Sequence, residues 1–129
     1  MINHYLSTTY KPFARGPQEF DCWGLVRDAW QKMFNRGGLP SYVGIDPEDK
    51  AALTMETYKV MRRYSFEPVD IRAGTIATAW RASLCVHVGI VVEADGVLWI
   101  LETDVGTGPC LTRPSRFEGR YTRVVYYDY

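Results

Sequence analysis

Phe20-Asp21-Cys22-Trp23-Gly24-Leu25-Val26 reads as the start of a helix that carries a cysteine. The short side chain of Asp21 can accept from first-turn N–H groups, which makes it an N-cap. Beyond it Cys22, Val26, Ala29, Trp30, Met33 and Phe34 recur at three- and four-residue spacing, one apolar helix face. Gly37-Gly38 supplies a stop. Gly24 weakens the first turn, which predicts a packing reason for it. Cys22 falls directly after the cap, where unpaired N–H groups and the positive end of the helix dipole favour the thiolate, the nucleophilic form. Placement alone leaves two readings level: an activated nucleophile, or a small buried apolar residue, which free cysteine often is.

Outward from this helix, the preceding twenty residues are turn-rich, with Pro12, Gly16 and Pro17, and read as an irregular lead-in. Downstream, a second helix is expected over residues 47–64. Asp46 would be its cap, Pro47 its first residue, and Leu53, Tyr58 and Met61 its buried face. The second half reads as strands at residues 74–80, 84–93, 97–103 and 121–127, with Ala94-Asp95-Gly96 as a hairpin turn. Helices first and antiparallel strands later predict an α+β domain, 1–129, with its N-terminal helices packed on one sheet face.

The strand over 84–93 contains Cys85-Val86-His87-Val88-Gly89-Ile90. A histidine in an apolar strand is a satisfied core residue unless something nearby needs a base. A thiol at a helix start is such a group, and a strand packed on that helix would hold the imidazole rigidly toward it. The other histidine, His4, lies near the terminus.

Bulk properties narrow the function classes. Of the 129 residues, 47% are hydrophobic and 23% charged, with 15 basic and 15 acidic side chains. A zero net charge provides no field for nucleic acid or an anionic membrane. No stretch of eighteen apolar residues predicts a membrane span. The first residues lack the charged and apolar regions of a signal peptide. Three cysteines are too few, and odd in number, for a disulfide framework, so a reducing cytoplasm is the expected site of synthesis. A zinc site from Cys22, Cys85, His87 and Cys110 has no supporting C-x-x-C or H-x-x-x-H spacing; neither metal nor cofactor is expected. Cys85, two residues from His87, is expected on the same strand face. Arg113, Arg116, Arg120 and Arg123 read as a solvated basic face.

Asp21-Cys22-Trp23-Gly24-Leu25-Val26 followed by His87-Val88-Gly89-Ile90 resembles the NlpC family (NlpC/p-sixty) of cell-wall cysteine peptidases. The stretch from Ala14-Arg15-Gly16-Pro17 to Gly24 is similar to its phage tail-assembly branch in particular. The likeness covers roughly residues 8–127. It implies a compact papain-like fold and amide hydrolysis through a covalent acyl-enzyme, with Cys22 as nucleophile and His87 as base. It also implies a Tyr upstream of the cysteine, here Tyr10, whose hydroxyl shares the oxyanion with the Cys22 N–H. The implied substrate is a peptidoglycan stem peptide, the implied partners are phage tail proteins, and the implied destination is the virion tail. A catalytically impaired tail-assembly module of the same fold is the alternative.

The family also carries a polar residue on the strand after the hairpin that orients the histidine. Counting from Asp95-Gly96, that position falls on Trp99, which cannot accept a hydrogen bond. The nearest carboxylate is Glu102. Alternation puts Trp99, Leu101 and Thr103 on one face and Leu98, Ile100 and Glu102 on the other. Glu102 as the orienting residue is therefore expected to need a bulge.

Overall fold

The structure, a computed structural model, describes residues 1–42 and 46–129. Helix α1 (Ile2–Leu6) opens the chain, followed by a short parallel pair, β1 (Thr9–Tyr10) and β2 (Glu19–Phe20). Helices α2 (Cys22–Phe34) and α3 (Lys50–Arg63) come next. The remainder is β3 (Glu67–Val69), β4 (Ile76–Arg81), β5 (Leu84–Ala94), β6 (Val97–Asp104), β7 (Gly108–Thr112), α4 (Pro114–Gly119) and β8 (Arg123–Asp128). Six strands form an antiparallel sheet in the order β3-β8-β4-β5-β6-β7. The chain is α+β, as its order of helices and strands predicts.

Alternation along the strands divides the core between two faces. Ile76, Trp80, Val88, Ile90, Val92 and Leu101 meet Leu25, Val26, Ala29 and Trp30 of α2 on one face, with Val60 of α3. Ala77, Ala79, Val91, Ile100 and Tyr126 form the other with Phe117 of α4. Two buried carboxylates, Asp28 and Asp128, secure the ends. The Tyr5 hydroxyl of α1 donates to Asp28 of α2 at 2.8 Å. Asp128 at the end of β8 takes Arg36 and Arg72 at 2.7 and 2.8 Å.

Several boundaries differ from expectation. The lead-in is more ordered than its Pro and Gly content implies, because α1 and the β1–β2 pair pack on the rest of the chain. The first helix ends at Asn35, whose left-handed conformation (φ 54°) closes it before Gly37-Gly38. The second begins three residues late. Asp49 caps it by accepting from the Ala52 N–H at 3.1 Å, while Asp46 closes the preceding turn through the Glu48 N–H. Its buried residues are Leu53, Thr54 and Val60; Tyr58 is exposed. Thr54 faces the sheet because its hydroxyl accepts the Cys85 N–H at 2.8 Å. The expected hairpin is present, with Asp95 and Gly96 both at positive φ (55° and 74°) between β5 and β6, the two-residue turn that matches strand twist. The sheet also contains β3 and β7, which were not anticipated.

Candidate active site

Asp21 does more than cap α2. Its Oδ1 accepts the Gly24 N–H at 2.8 Å and an Arg15 N–H at 2.7 Å, and its Oδ2 accepts the Phe13 N–H at 3.1 Å. Arg15 also donates to the carbonyls of Ala14, Ser41 and Tyr42. One buried carboxylate thus ties the lead-in loop to the helix start. Gly24 has the packing role expected of it: a Cβ there would run into the Ala14 carbonyl oxygen.

Cys22 is the first residue of α2 and only 2% exposed. Its N–H lies in the first turn, which has no upstream helical carbonyl to bond. Tyr10 pairs with Phe20 across the β1–β2 ladder, which brings it beside the same helix start. Burial, then the charges of Cys22, Asp104, Asp21 and Glu48, push the Tyr10 phenol well up. It stays a hydroxyl, able to donate, at any neutral pH.

His87 is 1% exposed on β5. Its Nε2 lies 3.0 Å from Glu102 Oε1. Glu102, 3% exposed, also accepts from Arg120 Nη2 at 2.7 Å on Oε1 and 2.9 Å on Oε2. The rings of Phe117 and Tyr121 lie against the imidazole, with centroids at 6.0 and 6.4 Å. The other ring nitrogen, Nδ1, is buried without a hydrogen-bond partner among the described residues, and Asp104 Oδ2 stands 3.6 Å from it, beyond bonding length. That nitrogen is left open to a further partner.

Burial alone would push the His87 imidazole down. Interaction with the Cys22 thiol and the Glu102 carboxylate, and then the charges of Cys22 and Asp104, outweigh it and raise it to about 9. Burial would push Glu102 up, but hydrogen bonds from His87 and Thr112, the His87 charge and Arg120 hold it below the usual carboxylate range. At neutral pH Nε2–H therefore donates to a carboxylate.

Two expectations about strand faces are overturned. β5 carries an extra residue: Ala79 pairs with His87 but Trp80 pairs with Cys85, leaving Val86 unpaired. The bulge puts Cys85 and His87 on opposite faces. Cys85 lies in the α2-side core, where burial raises its thiol to about 11. Glu102 needs no bulge of its own. Ile90 pairs with Leu101, so Gly89 stands beside Glu102, and alternation puts His87 on that face too. Trp99 pairs with Val92 on the other face, under the Arg113 guanidinium at 5.1 Å. The polar side chain beside His87 Nε2 is Glu102.

Arg120 departs from the expected solvated basic face: its guanidinium reaches the buried Glu102 carboxylate. Its sequence signal was slight, an arginine after a Pro-initiated turn. A groove of about 340 Å³ reaches His87 and is walled by Glu48, Lys50, Arg81, Asp104, Val105 and Tyr121. Among the described residues no cluster of His, Cys, Asp and Glu could hold a metal ion, and no helix is long and apolar enough to cross a membrane. Comparison with family models, with curated proteins and with solved structures found no match.

Proposed function

We propose that the chain is a papain-like cysteine hydrolase of the NlpC type that cleaves amide bonds of peptidoglycan stem peptides. The observation that carries this reading is the His87–Glu102 pair, at 3.0 Å, with the remaining ring nitrogen unpartnered among the described residues and the thiol of a cysteine at a helix start acting on the imidazole. Glu102 keeps the imidazole protonated at Nε2, so Nδ1 is the nitrogen that exchanges a proton with Cys22. The Cys22 thiolate attacks the amide carbonyl carbon, and the oxyanion takes hydrogen bonds from the Cys22 N–H and the Tyr10 hydroxyl. His87 gives its Nδ1 proton to the departing amine as the C–N bond breaks. It then takes a proton from water, which attacks the thioester and releases the carboxylic acid and the thiolate.

The motif resemblance supports the wider setting: a phage tail-associated protein acting on the cell wall, with other tail proteins as partners. Trp99 lies on the far face from His87 and Glu102 stands beside the imidazole, which supports the catalytic reading over a non-catalytic module of the same fold.

The test is hydrolysis of purified stem peptides, read by mass spectrometry as a new amine and a new carboxylate. Cys22→Ala should lower the rate by several orders of magnitude. Because it removes one buried atom, it should cost only about 1 kcal/mol of stability. Cleavage persisting in a folded Cys22→Ala protein would rule out the nucleophile.

A further inference from the structure

Glu102 is a buried carboxylate with a flexible side chain, and its Oε1 is shared: His87 Nε2 reaches it at 3.0 Å and Arg120 Nη2 at 2.7 Å. The same guanidinium nitrogen holds Oε2 at 2.9 Å, so neither oxygen can rotate without breaking a charge-assisted bond. Arg120 is itself fixed. Its guanidinium lies over Phe117 at 5.2 Å and Tyr121 at 5.4 Å, the two rings that line the imidazole. Its backbone carbonyl accepts from Arg81. Its side chain is 42% exposed, so the charge remains partly in water and adds little burial cost. The neighbouring arginines differ: Arg113 and Arg123 lie over Trp99 and Trp80, away from the carboxylate.

We propose that Arg120 is a positioning residue for His87, acting through Glu102. Resting on the hydrolase reading above, the proposal adds a fourth member to the line Cys22, His87, Glu102. α4 and the turn after it then have a definite task, which is to deliver one guanidinium and two rings to the back of the catalytic histidine. An unpinned Glu102 would leave the imidazole plane and tautomer undefined. A displacement of about 1 Å at that point is enough to slow chemistry roughly 100-fold.

Two measurements test it. In hydrolysis assays Arg120→Gln should lower kcat roughly 100-fold with KM little changed, and Arg120→Lys should restore part of the loss by returning the charge without the planar geometry. In a Glu102→Gln background Arg120→Gln should cost nothing further, because a residue acting only through Glu102 is non-additive with it. Additive losses, or an unaltered kcat in Arg120→Gln, would overturn the proposal. The second measurement needs no turnover. The chain has two histidines, so the buried His87 Nε2–H can be followed by ¹H–¹⁵N NMR. Arg120→Gln should shift this resonance upfield and speed its exchange with water; an unchanged, protected resonance would overturn the positioning role. Should the wild type cleave no stem peptide, the hydrolase reading fails by itself and the NMR comparison still decides Arg120.

Discussion

At the scale of single residues, the site depends on two protonation states that burial by itself would oppose. His87 would be neutral in an apolar interior, and Glu102 would be too. Together, with Cys22, Asp104 and Arg120 around them, they become an ion pair. Burial raises the Cys85 thiol to about 11, which keeps it protonated at neutral pH. In the proposed mechanism Tyr10 contributes through its hydroxyl alone. Tyr10→Phe should leave the melting temperature nearly unchanged and slow acylation by about 3 kcal/mol of barrier, the worth of one oxyanion donor. An unaltered acylation rate would reduce Tyr10 to a packing aromatic.

At the scale of elements, the junction of β5 and β6 carries His87 and Glu102, on which the proposed chemistry depends. The bulge at Val86 lets Cys85 complete the α2-side core while His87 turns to the α4 side. Gly89 then makes room for the neighbouring strand. A Cβ there would lie 2.7 Å from Ile100 Cγ2 and 3.6 Å from Glu102 Cβ. Gly89→Ala should therefore push β6 away from β5. We expect a loss of about 1–3 kcal/mol, typical of overpacking, and a drop in turnover larger than in variants of equal stability elsewhere in the core. Denaturant midpoints alongside kcat would separate the two effects. If Gly89→Ala kept both, the glycine of His-Val-Gly-Ile would have no steric role. Much of this junction was legible in the sequence: the hairpin at Asp95-Gly96, the apolar strand, and His87 within it. The face of Glu102 was not. Alternation is a relative rule, and which face His87 takes depends on the partner strand's register.

At the scale of the whole molecule, the ion pair links stability to pH. His87 has a folded pKa of about 9 against an ordinary value of 6.5. Its contribution is thus fully present below pH 6.5 and is lost as pH rises through about 9. Glu102 is shifted down, so its contribution is present above the ordinary carboxylate range and is lost only in acid. The melting temperature should fall between pH 6.5 and 9, and this slope should flatten in Glu102→Gln. A slope unchanged in that variant would mean that the carboxylate does not hold the His87 proton. By itself the sequence determined the start of α2, the cysteine on its first turn, the histidine strand and the α+β order, because caps, periodicity and turn chemistry act over a few neighbouring residues. Only the tertiary structure decided the rest. The α1, β1–β2, β3 and α4 elements are too short to be stable without the surfaces they pack on. The carboxylate for His87 and the arginine behind it come from residues 15 and 33 positions along the chain, brought together by strand register and a Pro-initiated turn that no local pattern encodes.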